Sequence, residues 1–484
     1  MADSHGEIRA YFIINNTEVS TAEYAEVRDP GKLDDIVGKV ALGTAKEVDQ
    51  AVRAAHRAFL SWRKLDVEER ISRVQAAGEV LKESIDELAP LLSREHGGLL
   101  REAKMDFNAG YTRVRDYAGV VASFMQPEQK EDEISWISIE KRPKGVVAAI
   151  VPWNMPVVLT MMKLVPALMT GNTIVVKPSP NAPLALTELL KRMAAVLPEG
   201  VINVVNGGVE VGEALTKHEL VEKVAFTGGS NTGRKVYVSS AETFKDVTLE
   251  LGGNDPAIIL EDAKMEELMP RLIRGIFTRS GQVCYAVKRI YVAEEIFDTF
   301  YEMLCLEVDK FRVGHGLDER SSLGPLNNGA QYKFVQNLIA DARKKGATVR
   351  ELGSKLEPEN WNNGYYILPH VVIDKEHTTE LVHCEQFGPV IPLTPFRTVE
   401  QAIAYANNSN YGLASSVWSS DFERALEIAR QIEAGLTFIN MHGLGSVAFG
   451  MPFGGIKDSG VGRESCVEPT LSAYIDYHAL RYFK

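Results

Sequence analysis

From residue 146 onward, short runs of β-branched and other apolar residues alternate with segments of helical length. The runs predict strands at 146–151, 173–177, 201–205, 224–226 and 247–251, and the segments between them predict helices at 182–196, 208–215 and 231–241. Strands that alternate with helices at this spacing form a parallel, doubly wound sheet. Such sheets bind ligands beyond the carboxyl ends of their strands, so the residues that follow each run are the first candidates for a site.

A second series of the same kind follows Gly253. Its strands are predicted at 257–260, 289–292, 371–373, 391–394, 415–418 and 436–440, with amphipathic helices such as 266–277 and 421–432 between them. The first quarter of the chain predicts helices at 45–62, 67–93 and 101–122 after a short opening strand region, and 471–483 predicts a last strand. Because 484 residues exceed what one hydrophobic core usually supports, we expect two or three domains of α/β class.

The charge and the cysteines exclude several classes of function. The net charge is -12 and no run of five or more lysines and arginines occurs, which argues against nucleic acid and anionic membranes as partners. Residues 1–7 lack the basic and then apolar pattern of a secretory signal. The four cysteines are scattered without a CxxC pair, which favours reduced thiols over a disulfide framework or a zinc site. We therefore expect a cytoplasmic protein without a metal.

One uncharged segment has the length at which a membrane span must be considered. Residues 145–162 carry no charged side chain, but Pro152, Asn154 and Pro156 lie at the centre of the segment. Two prolines and an amide would leave polar groups to be satisfied in lipid. A buried strand, a loop and then a helix explain the same pattern, and we prefer this interpretation.

A thiol and a carboxylate are the first candidates for chemistry. Glu250 ends a predicted strand and precedes two glycines, and Cys284 follows a flexible Gly281. If the fold brings them together, the thiol can form an acyl intermediate and the carboxylate can activate the water that releases it. The alternatives are a surface carboxylate or ion-pair partner for Glu250, and a buried small hydrophobic residue for Cys284.

Three further candidates lie where predicted strands end. The turn at 226–233 opens a predicted helix whose N-terminus suits an anion such as pyrophosphate, although the turn lacks the GxGxxG pattern and an ordinary strand-to-helix turn explains it better. Lys177 can reach a ribose or a phosphate, or can simply be solvated. Asn154, in a loop bounded by prolines, can hold an oxyanion, but an amide that satisfies the loop backbone is the better explanation on this context alone.

The order of these segments is more informative than any one of them. Along the chain come Pro152-Trp153-Asn154, Val176-Lys177-Pro178-Ser179, Phe226-Thr227-Gly228-Gly229, Leu249-Glu250-Leu251-Gly252-Gly253, Gly281-Gln282-Val283-Cys284, Glu385-Gln386-Phe387-Gly388-Pro389 and Pro452-Phe453-Gly454-Gly455-Ile456-Lys457-Asp458-Ser459-Gly460. This ordered set closely resembles that of the aldehyde dehydrogenase superfamily, and the resemblance covers essentially the whole chain.

The resemblance implies a fold with three parts. These are a Rossmann-like parallel-sheet cofactor domain at 1–123 and 143–252, a second α/β catalytic domain at 253–465, and a small β oligomerisation arm at 124–142 and 466–484. It also implies NAD or NADP as the cofactor, an aldehyde as the small-molecule substrate, and a homodimer or homotetramer.

The resemblance also implies a role for each matched residue. Cys284 would be the nucleophile, Glu250 the general base, Asn154 the oxyanion donor and Glu464 a second acidic residue in a proton relay. The implied cofactor contacts are Trp153, Lys177, Ser179, Gly212, Phe226, Gly228, Gly229, Leu251, Glu385 and Phe387. The implied substrate pocket comprises Met155, Leu159, Met162, Val283 and Tyr285, with Val447 and Phe449 as further candidates.

These roles imply a reaction in two halves. The Cys284 thiolate would attack the aldehyde while Asn154 and the Cys284 backbone N–H hold the oxyanion, and hydride transfer to the nicotinamide would leave a thioester. Glu250 would then activate water to release a carboxylic acid. Relatives that pass the acyl group to coenzyme A generally lack this glutamate, so hydrolysis is favoured over coenzyme A acylation. A protein that keeps only the fold without activity is the remaining alternative.

Some matched positions depart from the family or leave a choice open. Pro180 stands where NAD-preferring relatives often carry a glutamate, which makes NADP admissible. Gly229 replaces a frequent serine, so a phosphate contact there must come from the backbone. The mostly apolar tunnel suits an aliphatic or aromatic aldehyde. Arg279 lies close in sequence to Cys284 and would receive an acidic substrate group if it pointed inward, but we expect it to face the protein or solvent.

Overall fold

The computed structural model describes residues 8–484. The expectation about a secretory signal concerns residues 1–7 and lies outside this range. In chain order the helices are α1 (Ala45–Trp62), α2 (Val67–Glu83), α3 (Ile85–His96), α4 (Leu100–Ala118), α5 (Val121–Phe124), α6 (Pro156–Met169), α7 (Leu184–Ala195), α8 (Val209–Lys217), α9 (Ser230–Ala241), α10 (Met265–Phe277), α11 (Phe297–Val308), α12 (Gly329–Lys344), α13 (Glu380–His383), α14 (Val399–Asn407), α15 (Phe422–Ala429) and α16 (Glu468–Ser472).

The strands alternate with these helices through most of the chain. They are β1 (Arg9–Ala10), β2 (Phe12–Ile14), β3 (Thr17–Val19), β4 (Tyr24–Asp29), β5 (Lys32–Ala41), β6 (Glu128–Glu131), β7 (Ser135–Pro143), β8 (Val146–Ile150), β9 (Thr173–Lys177), β10 (Ile202–Val204), β11 (Val221–Thr227), β12 (Asp246–Glu250), β13 (Asp255–Ile259), β14 (Val287–Ala293), β15 (Arg312–Val313), β16 (Thr348–Glu351), β17 (Ser354–Lys355), β18 (His370–Ile373), β19 (Val390–Phe396), β20 (Tyr411–Gly412), β21 (Ala414–Trp418), β22 (Leu436–Ile439), β23 (Ile456–Lys457), β24 (Gly460–Val461) and β25 (Ile475–Phe483). Short 3-10 segments lie at Thr278–Gly281, Glu294–Ile296 and Pro358–Asn363.

The first large sheet has the strand order β24-β12-β11-β8-β9-β10-β2-β3. Its central strands β12, β11, β8, β9 and β10 are parallel, and antiparallel strands close both edges. Every residue of β8 and β9 is buried, as is typical of strands covered by helices on both faces. The parallel, doubly wound sheet predicted from the alternation is therefore confirmed.

The second large sheet has the order β16-β18-β19-β14-β13-β21-β22 and is parallel except for its edge pair β16 and β18. Helices α10 and α11 pack on this sheet around a core that contains Leu272, Phe300 and Trp418. The second α/β series predicted after Gly253 is confirmed.

The helical prediction for the first quarter is correct in type but wrong in its breaks. Helix α1 begins after Thr44, whose side chain accepts from the Lys46 N–H while the Thr44 backbone N–H donates to Glu47, a capping box. The single helix expected at 67–93 is two helices that meet at Ser84. The Ser84 hydroxyl donates to the Val80 carbonyl oxygen at 2.8 Å, a local bond that competes with helix continuation. The helix expected at 101–122 likewise divides into α4 and α5.

Beside the two large sheets there are two three-stranded sheets and two two-stranded sheets, β15 with β17 and β20 with β23. Strands β1, β5 and β4 form one three-stranded sheet, and β25, β7 and β6 form the other, in which β25 pairs antiparallel with the whole length of β7. The second lies in the segments predicted for the oligomerisation arm, although the strand expected at 471–483 begins only at Ile475, after α16. The domain boundaries given above stay predictions.

The uncharged segment at 145–162 folds as β8, a loop and the start of α6, as expected. Its strand and helix are buried against the first sheet and its neighbours, including Val147, Val157 and Met161. Across residues 8–484, no helix combines the length and the apolar character that a membrane crossing requires.

Candidate active site

Four parallel strands of the first sheet end side by side. Ile150 at the end of β8 pairs with Lys177 at the end of β9, and Thr227 at the end of β11 pairs with Glu250 at the end of β12. The segments that follow these strands therefore leave the sheet at one edge, where open α/β sheets bind their ligands.

A cavity of about 220 Å³ lies at this edge and contains Cys284. The predicted site residues that line it are Trp153, Asn154, Leu159, Gly228, Gly229, Leu251, Cys284, Glu385 and Phe387. Its wall also includes Pro152, Thr227, Gly252 and Gln331, which were not predicted as site residues. Two sequence-distant groups of predicted residues, one from each large sheet, are thus brought to one cavity.

The segment that leads to Cys284 is a left-handed turn. Arg279, Ser280 and Gly281 have φ angles of 58°, 54° and 76°, in the region that favours glycine. A Cβ on Gly281 would lie 2.4 Å from the Gly388 carbonyl oxygen, so a glycine is required there. The Ser280 hydroxyl donates to the Gly324 carbonyl oxygen at 2.9 Å. Surrounding contacts therefore hold a conformation that two of these residues would not adopt by themselves.

Asn154 is buried and reaches this turn directly. Its side-chain Nδ2 donates to the Gln282 carbonyl oxygen at 2.9 Å, and the residue also lines the cavity beside Cys284. A side-chain amide carries two N–H groups, and the bond to Gln282 fixes the plane in which the other lies.

The Cys284 side chain keeps part of its surface open, yet its surroundings disfavour the thiolate. Burial raises the pKa of the Cys284 thiol to about 12, Lys288 acts in the opposite direction, and the charges of Glu385, Glu250 and Asp255 raise the pKa further. Burial therefore disfavours the Cys284 thiolate, and the positive charge of Lys288 partly offsets this effect.

Glu250 ends β12 as a buried carboxylate without a hydrogen-bond partner for either side-chain oxygen among residues 8–484. Burial raises the pKa of this carboxyl well above its ordinary value, and the charge of Glu464 adds to the effect, while Lys163 and Arg463 oppose it. A Cβ on Gly454 would lie 2.7 Å from Glu250 Oε1, so the carboxylate occupies space that only a glycine leaves free. A carboxylate of this kind is suited to take a proton.

Glu464 does not line the cavity and is paired instead. Its carboxylate oxygens lie 2.9 and 3.1 Å from Lys163 Nζ, and both side chains are fully buried. Its contribution to the pKa of Glu250 shows that the two carboxylates sense one another. A relay through Glu464 stays a prediction.

Glu385 and Phe387 line the cavity and come from the segment between α13 and β19. Glu385 Oε1 accepts from the Gly253 N–H at 3.1 Å, and a Cβ on Gly252 would lie 2.4 Å from Glu385 Oε2. Phe387 meets Trp153 edge to face, with ring centroids 5.5 Å apart. Gln331 Nε2 fixes the segment by donating to the Phe387 carbonyl oxygen at 3.1 Å.

Lys177 is the last residue of β9, Ser179 lies two residues beyond it, and neither lines the cavity. Lys177 is buried, its Nζ donates to the Pro178 carbonyl oxygen at 3.1 Å, and burial lowers the pKa of Lys177 to about 8. The Ser179 hydroxyl accepts from the Asn181 N–H at 3.3 Å. Their place at the carboxyl edge of the sheet agrees with the predicted cofactor site, but the structure does not bring them to the cavity around Cys284.

The predicted phosphate-binding turn lies at the start of α9. Gly229 is the residue before the helix, and a Cβ on either Gly229 or Gly212 would meet nothing within 4 Å. Phe226 packs beneath the turn, because a Cβ on Gly228 would lie 2.6 Å from its ring. The helix N-terminus therefore faces open space, as an anion site requires.

Most of the predicted substrate pocket forms one apolar cluster with Cys284. The cluster includes Met155, Leu159, Met162, Tyr285 and Val447, together with Leu413, Leu436, Phe438 and Phe453. Tyr285 and Phe453 meet edge to face with ring centroids 5.2 Å apart. An apolar wall therefore adjoins the Cys284 thiol.

Two of the proposed pocket residues are placed elsewhere. Val283 is buried outside this cluster, and its carbonyl oxygen accepts from Lys288 Nζ at 2.8 Å. Phe449 packs edge to face on Tyr117, with centroids 5.1 Å apart, on the helical layer of the first domain.

Arg279 points away from the cavity into the protein. Its Nη1 lies 3.4 Å from His96 Nδ1 and 4.0 Å from Glu102 Oε2, and it fills the space above Gly98. The expectation that this arginine faces the protein is confirmed, because its side chain does not line the cavity.

Helix α4 binds two segments of the site through its carboxylates. Glu102 Oε1 accepts from the Arg279 N–H at 2.8 Å, at the left-handed turn. One helical turn later, the Asp106 carboxylate accepts from the N–H groups of Val157 at 3.1 Å and Val158 at 2.8 Å, at the start of α6. Two buried carboxylates on one face of α4 therefore fix the position of the turn that carries Cys284 relative to the loop that carries Asn154.

The sequence pattern of the aldehyde dehydrogenase family matches residues 17–479. The chain belongs to the aldehyde dehydrogenase family.

Relatives within the family agree along nearly the full length. The chain is similar to glutarate-semialdehyde dehydrogenase of Pseudomonas putida, with 37% identity over 442 residues that cover 89% of this chain and 88% of that one. It superimposes on betaine aldehyde dehydrogenase of Staphylococcus aureus, crystallised in complex with NAD+, with a TM-score of 0.93 and 31% identity over 98% of this chain and 95% of that one. An NADP-dependent enzyme of E. coli gives a TM-score of 0.93 and 31% identity over 99% and 98%. The predicted family, enzyme class and fold are confirmed.

Some residues of this aldehyde dehydrogenase site were not found from the sequence. Lys288 and Gln331 contact the segments around Cys284, and Glu102 and Asp106 hold them from α4. Lys288 directly precedes the strand predicted at 289–292, and a lysine at the edge of a buried strand must find partners if the strand begins earlier, as it does here at Val287. The two carboxylates, four residues apart on one predicted helix, gave a weaker signal.

Proposed function

We propose that this aldehyde dehydrogenase oxidises an aldehyde to a carboxylic acid with NAD or NADP, through a thioester on Cys284. The observation that carries the proposal is the shared cavity of Cys284, Asn154 and Glu385, with Glu250 buried nearby and without a hydrogen-bond partner among residues 8–484. A nucleophile, a donor for an oxyanion, a cofactor segment and a base are the groups that the reaction requires.

In the first half of the reaction Cys284 attacks the carbonyl carbon, and Asn154 Nδ2 and the Cys284 backbone N–H hold the oxyanion. Asn154 is suited to this because its amide is already oriented by Gln282. The bound dinucleotide supplies the hydride acceptor. The residues that would hold the dinucleotide are Lys177 at the end of β9 and Ser179 just after it, Gly212 in α8, Gly229 before α9, and Glu385 with Phe387 at the cavity.

The residues present fit such a cofactor. The open space at Gly229 and Gly212 leaves room for a pyrophosphate at the N-terminus of α9. Glu385 lines the cavity and is fixed by the Gly253 N–H, and its carboxylate would accept from a ribose hydroxyl. Pro180 is exposed beside Lys177 and carries no charge to reject a 2′-phosphate, so both NAD and NADP are admitted.

In the second half Glu250 takes a proton from water, and the water releases the acyl group from Cys284 as a carboxylic acid. Because its carboxylate has no partner among residues 8–484, it is free to do so once it is deprotonated. Its proton would leave through the buried pair of Glu464 and Lys163. This base favours water over coenzyme A as the acyl acceptor.

We propose an apolar aliphatic or aromatic aldehyde as the substrate. The wall that adjoins Cys284 is formed by Met155, Leu159, Met162 and Tyr285, and Arg279 faces away from it. Glutarate-semialdehyde and betaine aldehyde dehydrogenases are relatives, but their charged substrates would find no matching charge among these apolar side chains.

We further propose a homodimer or homotetramer in the cytoplasm. Tyr477, Tyr482 and Phe483 are exposed on β25 of the three-stranded arm, where a second copy could cover them. All four cysteines are free thiols, in keeping with a reducing compartment.

The test is an assay of cofactor reduction with a panel of aldehydes, NAD and NADP, each with and without coenzyme A. We expect reduction without coenzyme A, a free acid as the product, and loss of activity in Cys284→Ala. Substantial turnover of Cys284→Ala would overturn the nucleophile, and an absolute requirement for coenzyme A would overturn hydrolysis. Preference for a semialdehyde acid would overturn the apolar substrate.

A further inference from the structure

A buried lysine lies four residues after the nucleophile. Lys288 is the second residue of β14, a strand in which every residue is buried, and its side chain is 3% exposed. Burying an ammonium is costly unless its N–H groups and its charge find partners. The partners of Lys288 therefore indicate its role.

Those partners are carbonyl oxygens of the turn that carries Cys284. Lys288 Nζ donates to the carbonyl oxygens of Val283 at 2.8 Å, of Cys284 at 2.5 Å and of Ala286 at 3.4 Å. An ammonium has three N–H donors, so this one turn engages all of them. The backbone carbonyl oxygens of the turn that carries Cys284 therefore surround the Lys288 ammonium.

Within residues 8–484, no carboxylate oxygen lies at hydrogen-bond distance from Lys288 Nζ. Glu385 Oε1 lies 3.7 Å from Lys288 Nζ and is itself bound by the Gly253 N–H. The charge of Lys288 acts on both Glu385 and the Cys284 thiol, and the protein interior screens it weakly. On the turn itself, the charge of Lys288 lowers the pKa of the Cys284 thiol.

The other charged groups that face this thiol are carboxylates. They come from three elements: Glu250 ends β12, Asp255 begins β13 and Glu385 lies on the segment before β19. Asp255 is in turn faced by His442, with 3.5 Å between Oδ2 and Nε2. Each carboxylate disfavours a thiolate at Cys284, and Lys288 is the cation that opposes them.

We propose that Lys288 is a positioning residue that holds the Cys284 turn by its carbonyl oxygens and stabilises the Cys284 thiolate by its positive charge. Lys288 also ties this turn to the cofactor segment, because Gln386 Nε2 donates to the Lys288 carbonyl oxygen at 2.8 Å. The proposal rests on the proposed function only in taking Cys284 as the reacting thiol.

The experiment follows alkylation of Cys284 by iodoacetamide, with mass spectrometry of the peptide that contains it. The rate is measured from about pH 6 to pH 10, without aldehyde or cofactor, because only the thiolate reacts. The variants are Lys288→Arg, which keeps the charge, Lys288→Gln, which keeps a donor without the charge, and Lys288→Met, which keeps neither. Lys223→Met is the matched control, since Lys223 is equally buried on β11 and donates to Thr248 away from Cys284.

We expect alkylation in Lys288→Gln and Lys288→Met to fall about tenfold or more at neutral pH, with the rate profile moved to higher pH, because a nearby positive charge is lost. Lys288→Arg and Lys223→Met should stay within about threefold of wild type. Wild-type rates in folded Lys288→Gln or Lys288→Met would overturn the proposal. If neither of them folds, a loss of more than about tenfold in folded Lys288→Arg would overturn the charge effect.

The role of Lys288 and the proposed function fail in different measurements. A wild-type protein that reduces cofactor with an aldehyde while Lys288→Met alkylates normally refutes only the role of Lys288. A wild-type protein whose Cys284 alkylates as described but which reduces no cofactor with any aldehyde refutes the proposed function and leaves the role of Lys288 standing.

Discussion

The Asn154 side-chain amide donates to the Gln282 backbone carbonyl oxygen at 2.9 Å, which joins the loop after β8 to the turn that carries Cys284. The two segments come from different sheets, and this bond fixes the distance between a donor and a nucleophile. The geometry of the site therefore depends on how the two sheets are held together, as well as on the residues that face the substrate.

Asn154→Ala should lose the oxyanion donor and also the bond to Gln282. We expect kcat/KM for the aldehyde to fall about 10² to 10³-fold, because removal of one oxyanion donor commonly costs this much. The KM for the cofactor should change little. Steady-state kinetics with both substrates varied checks this, and a fall of less than threefold would show that Asn154 only satisfies the loop backbone.

Replacement of Glu250 should stabilise the protein at neutral pH. Its carboxyl has a raised pKa in the folded protein, so the folded state binds its proton more tightly than the unfolded state does. Stability is therefore lost as pH rises from the ordinary glutamate value of about 4.3 toward the raised value. Glu250→Gln removes this loss, and its free energy of unfolding should exceed that of wild type by roughly 1 kcal/mol or more near pH 7.

The matched control for that change is Glu95→Gln. Burial raises the pKa of Glu95 to about 8, but its carboxylate accepts from the Leu184 and Ala185 N–H groups at 2.6 and 2.9 Å. Its replacement loses an acceptor and should destabilise the fold. Urea unfolding at several pH values compares the two variants, and a Glu250→Gln protein less stable than wild type near pH 7 would contradict the assignment of an unpartnered base.

Glu102→Gln should slow turnover without contacting the substrate. One of its two carboxylate oxygens accepts from Arg279 and the other from Leu99, and an amide can replace only one of them. The left-handed turn before Cys284 then loses a constraint, and we expect kcat to fall about tenfold while the cofactor KM is kept. In Glu95→Gln, which caps α7 instead, kcat should fall less than threefold. Equal effects on kcat in the two variants would indicate general destabilisation.

The sequence predicted the elements whose boundaries are set by the local residue pattern. Strand β9 was predicted at 173–177 and found there, because a short run rich in β-branched residues and bounded by turn residues favours a buried strand. The helix predicted at 67–93 was wrong at Ser84, since the apolar periodicity continues on both sides of the break. Its side-chain bond to Val80 is a local alternative that periodicity does not record.

Within the site, motif order located the residues that line the cavity, such as Cys284 and Glu385, but not the residues that hold them. Lys288 acts through carbonyl oxygens whose positions exist only in the folded turn. Arg279 was close in sequence to the nucleophile, and only the packing of α3 and α4 shows that it turns away. Such tertiary contacts leave little trace in a single sequence.

The central claim is that Cys284 carries an acyl intermediate that Glu250 helps water to release. It is tested most directly by mixing Glu250→Gln with an aldehyde and the oxidised cofactor and following both cofactor reduction and the mass of the peptide that contains Cys284. We predict one rapid equivalent of reduced cofactor per active site, little further turnover, and an acyl group on Cys284. Continued turnover at the wild-type rate, or reduction without any acyl group on Cys284, would contradict the account.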